Sequence, residues 1–190
     1  MTALGELLAS LEALGRLPAL ELGAVAAALG GEPRVTDGPA DRVFGPPTRW
    51  WLIEGPSEAF AERRFEIRGD GFDPFVLLEL PLASGTHFSL EDAEPAVGSL
   101  PCSFRIDHAS FPGGPRITGT SYQFAVPAGT LWLSLADASQ ARFSGPALGR
   151  QYDRALNPRP SGARLTSVVL NNERSKLDPR VTLRSMRRRT

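Results

Sequence analysis

Lysine, cysteine and histidine are nearly missing from this chain. Among 190 residues there is one cysteine, Cys102, two histidines, His87 and His108, and a single lysine, Lys176. One cysteine excludes an internal disulfide framework. Zinc sites draw four ligands from close pairs such as CxxC or HxxxH. Cys102, His87 and His108 stand apart and unpaired, so no metal is expected. The same trio gives no sequence signature of a cysteine–histidine nucleophile, and Cys102 sits in a strand-like segment where packing is its expected role. Long apolar runs are also missing. Glu6 and Glu12 interrupt the apolar N-terminal stretch, which lacks the basic start and small-residue cleavage site of a secretory signal. A cytoplasmic location is expected. There is no GxSxG elbow, no Walker loop and no complete dinucleotide fingerprint, and Gly69-Asp70-Gly71 lacks a third glycine and precedes a strand. No cofactor is expected.

What is present is charge, unevenly placed. The formal net charge is zero. Residues 1–138 nevertheless hold 9 Arg and Lys against 18 Asp and Glu, whereas residues 139–190 hold 12 against 3. The chain is therefore a −9 body followed by a +9 segment, and such asymmetry marks a basic tail with an acidic partner. Arg184, Arg187, Arg188 and Arg189 crowd the end. Three readings of this tail stay open: a solvated end, a clamp on an acidic partner or neighbouring subunit, and a nucleic-acid contact. The last needs only positive charge within reach of phosphate, but Tyr152 is the final aromatic, which leaves nothing for base stacking.

Gly 19 and Pro 17 suit short strands and turns. Leu4, Leu7, Leu8 and Leu11 recur at helical spacing behind Thr2, a fitting N-cap. A second Ala-rich helix over Leu20 to Leu29 stops at Gly30-Gly31 and Pro33. Glu32 to Pro47 reads as loop with one short strand near Val35 or Val43. RWWLI at Arg49 to Ile53 is a compact strand. Its neighbouring side chains face opposite ways, so Trp50 and Trp51 cannot share one core. Either both faces are covered or one indole is exposed as an aromatic anchor, and both tryptophans are candidates for protein interaction.

Phe65 to Leu80, FEIRGDGFDPFVLLEL, is a β-hairpin. Its first strand alternates Phe65 and Ile67 against Glu62, Arg64, Glu66 and Arg68, which predicts a charged, solvated face. Its second, Phe75 to Leu80, is apolar enough to be central. Tyr122 to Leu135, YQFAVPAGTLWLSL, repeats the pattern. Between the hairpins, Ser89 opens a short helix that Pro95 limits to a turn or two. Cys102 to Ile106 and Leu165 to Leu170 are further strands, and Phe143 to Arg164 is irregular.

Smaller motifs yield to blander explanations. Arg68-Gly69-Asp70 spells an adhesion tripeptide, but Gly and Asp belong in a hairpin turn. Asp70 and Asp73 lack the further oxygen ligands of a calcium loop. Glu91, Asp92 and Glu94 are explained by capping and the helix dipole rather than by acid–base work.

LPALELGAVAAALGG and SLEDAEPAVG, each leading to a hairpin, suggest a duplicated helix–hairpin unit. The layout resembles β-lactamase-inhibitor-type and outer-membrane-assembly-lipoprotein domains, and the α+β designs of small bacterial immunity proteins. The chain departs from the exported members in lacking a signal, a lipidation cysteine and a disulfide. The expected fold is α+β, with short N-terminal helices packed on an antiparallel sheet of hairpins. Residues 1–138 are expected to form an acidic body, 139–176 to complete it with a final strand, and 177–190 to be a mobile basic tail. The −9 body and the missing catalytic set point to a non-enzymatic protein-binding module of bacterial origin, in concrete form a toxin-neutralising immunity protein. An assembly component docking its tail on the next subunit and a small-ligand or enzymatic domain are the alternatives.

Overall fold

Thr2 starts the first helix by accepting the Gly5 N–H on its hydroxyl at 3.2 Å. In the computed structural model this helix, α1, spans Ala3–Arg16, passing through Gly15. The structure describes residues 2–37, 48–69, 73–83, 90–98, 103–111, 114–135, 150–151 and 165–173. Leu7, Leu11 and Leu14 form the fully buried stripe of α1, whereas Leu4 of the expected apolar face is exposed and Leu8 only half-buried, since the stripe runs toward the end of the helix. Helix α2, Leu22–Ala28, ends where Gly30 takes a φ of +61°. There the Gly31 N–H reaches the Ala26 carbonyl and the Gly30 N–H the Ala27 carbonyl, a Schellman arrangement.

The chain then lays down β1 (Glu32–Thr36), β2 (Thr48–Glu54), β3 (Arg64–Arg68) and β4 (Phe75–Pro81). Helix α3 (Leu90–Val97) follows, and it continues through Pro95 for eight residues. After it come β5 (Ser103–Phe111), β6 (Gly114–Val126), β7 (Gly129–Leu135), β8 (Arg150–Gln151) and β9 (Leu165–Asn171). Strand β6 begins eight residues earlier than the Tyr122 start expected from alternation, running through Pro115 and Gly119 because β5 pairs along its whole length. Both expected hairpins are present, as β3–β4 and β6–β7.

These strands form one antiparallel sheet in the order β1-β2-β3-β4-β9-β7-β6-β5-β8. The fold is α+β. The first half is two helices and the β1–β4 meander, the second is α3 and the β5–β7 meander with β8 beside β5, and β4 and β9 meet at the centre. Helices α1 and α3 pack on each other. Leu7, Leu11, Leu14, Val25 and Val97 join Phe65, Leu78, Leu80, Tyr122, Phe124, Leu131, Leu133, Val168 and Leu170 in a single core. Val43 and the residues beyond Glu173, including Arg184, Arg187, Arg188 and Arg189, lie outside the described residues, as do His87 and Cys102. His108 falls on β5.

The sheet's other face departs from expectation. The solvated charged face predicted for β3 is not what forms, because Glu66 is only 1% exposed. On this face Trp50, Glu66 and Leu77 lie side by side across β2, β3 and β4, and all three are buried. Alternation reveals which side of a strand a residue takes, not whether that side meets water.

At the outer edge, β1 pairs only with β2. The Ile53 N–H donates across to the Arg63 carbonyl, so Ile53 turns its polar groups toward β3. Its partner Pro33 therefore faces outward, where a missing N–H costs the sheet nothing and withholds a donor from any further strand.

Candidate functional site

An organised polar feature lies where α1 and the end of α2 meet the loop after β2. Glu6 is the anchor. Its carboxylate accepts the Ser57 hydroxyl at 2.6 Å on one oxygen, and the backbone N–H groups of Glu58 at 2.8 Å and Ala59 at 3.1 Å on the other. Ser57 in turn accepts the Phe60 N–H at 3.0 Å, closing the turn. Partial burial alone would raise the Glu6 pKa. The Ser57 hydroxyl, the two backbone N–H groups and the positive charge of Arg63 outweigh it and hold the carboxyl below its ordinary range. Glu6 is thus an anion at neutral pH.

Behind it, Arg63 is 4% exposed and splits its guanidinium between two carbonyls, Leu29 at the end of α2 and Gly55 after β2, both at 2.8 Å. A planar fork with several donors suits this double duty. Arg63 therefore ties α2 to the β2–β3 loop while Glu6 ties α1 to it. The anchors leave an open cleft of about 440 Å³ lined by Glu6, Ala9, Ser10, Ala27, Ala28, Leu29, Gly30, Pro56, Ser57 and Glu58.

Its chemistry is narrow. The Ser57 proton is committed to a carboxylate, and no imidazole lines the cleft to activate the hydroxyl. Among the described residues no group of three or more His, Cys, Asp or Glu is placed to hold a metal ion. Small apolar walls with carboxylates and hydroxyls at one end favour binding a cation with an aliphatic stem.

A second polar cluster crosses the opposite face of the sheet. Arg68 pairs with buried Glu66, and this hydrogen bond raises the Arg68 pKa further. Arg68 also lies 5.5 Å over the Phe75 ring, and Arg64 stands 5.5 Å over Trp50 while pairing with Glu62 and Glu79. The ladder joins β2, β3 and β4 through three strands of side chains.

The two tryptophans do face opposite ways. Trp50 is 7% exposed beneath Arg64, and Trp51 is half-buried against the core, edge-on to Phe65 at 6.1 Å and 68°. Neither indole stands free on the surface. Of the Arg68-Gly69-Asp70 tripeptide, Gly69 has a φ of +87° in the turn after β3, and Asp70 lies outside the described residues.

Sequence reasoning missed Glu6, Ser10, Ser57 and Arg63. Glu6 and Ser10 sit four apart on α1, a spacing that stacks them on one face. The partner loop lies some fifty residues away, and no local pattern announces it. Comparison with protein-family models, with curated proteins and with solved structures finds no match. No helix among the described residues is long and apolar enough to cross a membrane.

Proposed function

We propose that this chain is a non-enzymatic protein-binding module of bacterial origin whose acidic body engages a basic protein in the cytoplasm, most concretely a toxin that it neutralises. The observation that carries the reading is the segregation of charge, −9 over residues 1–138. A surface of one sign speeds encounter with an oppositely charged target and orients it. The exposed carboxylates of Glu12, Glu21, Glu32, Asp37 and Glu58 on the helices, β1 and adjoining loops supply part of that field. Glu6 adds a carboxylate held ionised beside them.

The test uses the full-length chain, because β9 from the basic segment lies inside the sheet. Immobilised protein is expected to retain a basic protein at low salt and release it at high salt, and the released protein should rebind in a defined ratio. If the salt eluate holds no basic protein that rebinds, the reading is lost.

The complementary +9 over residues 139–190 favours a second reading, in which the tail at 177–190 docks on the acidic body of a neighbouring subunit. Light scattering on the full chain and on residues 1–176 separates the two. Salt-sensitive self-association lost on truncation supports assembly. A salt-insensitive monomer in both removes it.

A further inference from the structure

We infer that the cleft between α1, α2 and the 55–58 loop is the seat for one basic side chain, arginine or lysine, of the protein partner. This rests on the acidic-body reading above and names the place where that body is read.

Ser10 supplies the observation that points to a guest. Its side chain belongs to a residue only 5% exposed, it lines the cleft, and its hydroxyl makes no hydrogen bond among the described residues. A hydroxyl that opens on a cleft with no protein partner has acceptor capacity to offer a guest donor. Glu6, one helical turn earlier on the same face, presents an anion that keeps one acceptor site, on the oxygen facing Ser57, of the roughly four a carboxylate offers. Glu58, whose backbone N–H meets the Glu6 carboxylate, adds a second, exposed carboxylate to the lining. Acceptors therefore gather at one end, with no cation among the lining residues.

The rest of the lining is Ala9, Ala27, Ala28, Leu29, Gly30 and Pro56. Such short walls fit a methylene stem, and long basic side chains bury their stems along apolar surface while the charged head seeks acceptors. A free divalent cation is a poorer match, since it needs six or more converging oxygens. An anion is opposed by both glutamates. Arg63, the positive group that bears on Glu6, is spent on the Leu29 and Gly55 carbonyls.

The probe is a blocked tripeptide, acetyl-Gly-Arg-Gly-amide, with the citrulline peptide as its neutral isostere, titrated into the full-length chain and followed by methyl and amide NMR. Salt-sensitive shifts are expected at the Ala9, Ala27 and Ala28 methyls and the Ser10 amide, and the citrulline peptide should give none. Ser10→Ala and Glu58→Gln are each expected to weaken the arginine peptide about tenfold, as loss of a charged hydrogen bond does. Ala27→Trp, which fills the cleft, should abolish the response. Glu58 is exposed, so its variant keeps the test sound if a cleft-filling variant misfolds.

Shifts confined to other acidic positions, with Glu58→Gln and Ser10→Ala unchanged, overturn the cleft and leave the acidic-body reading standing. Equal response to arginine and citrulline also overturns it. A stronger peptide response on truncating the chain to 1–176 would make the chain's own arginine-rich end the resident guest and overturn the foreign-partner assignment. If neither the peptide nor any basic protein binds, both readings fall.

Discussion

Single residues carry much of the order in the helix–loop corner. Glu6→Gln keeps the size of the side chain but removes the charge that three donors address. Its pKa is depressed on folding, so its contribution is complete above the carboxylate's unfolded value and is lost as pH falls through the folded value. At pH 7 the variant should lose about 1–2 kcal/mol in urea unfolding, and in acid below the folded value the two proteins should converge. Two glycines make a sharper contrast. A Cβ on Gly129 would stand 2.0 Å from the Asn171 carbonyl oxygen at a φ of +150°, so Gly129→Ala should cost roughly 3 kcal/mol or more. Gly23 on exposed α2 has nothing within 4 Å, and Gly23→Ala should gain about 0.5–1 kcal/mol by thermal unfolding.

At the scale of elements, the attachment of α2 depends on one buried cation. Arg63→Met fills similar space but strips both the Leu29 and Gly55 carbonyls of their partner. The variant should lose about 3 kcal/mol, and amide exchange should rise first in α2 and the 55–58 loop. Hairpins, caps and stops were legible in sequence because each is local: Thr2, Gly30 and the alternation of Phe65 and Ile67 act within a few residues. The burial of Glu66 was not, because the strand's own pattern says nothing of what lies above it. Arg63 shares a parity with Phe65 and reads as a core-facing misfit. Only the carbonyls of Leu29 and Gly55, brought in from two other places, explain it.

For the whole molecule, the position of β9 decides how the chain divides. Sequence identifies Leu165 to Leu170 as a strand, but insertion between β4 and β7 is a long-range pairing that no window of residues displays. Val168 and Leu170 are fully buried, and Asn172 extends the joint by accepting the Val76 N–H at 2.9 Å and donating to the Pro74 carbonyl at 2.7 Å. The acidic body of residues 1–138 is therefore incomplete without the basic segment. A 1–138 fragment should show no cooperative unfolding transition and should bind a hydrophobic dye. Residues 1–176 should melt within a few degrees of the full chain, since the sheet is intact.

The central β4–β9 pair also sets a schedule during synthesis. Roughly 80 residues must leave the ribosome after β4 before β9 arrives, which at about 5–20 residues per second is some 4–16 s. Through that interval the nascent first half holds Leu77, Leu78 and Leu80 on an open strand edge, the kind of template on which other chains pair. Until β9 emerges, the β4 edge lacks the partner that closes the sheet.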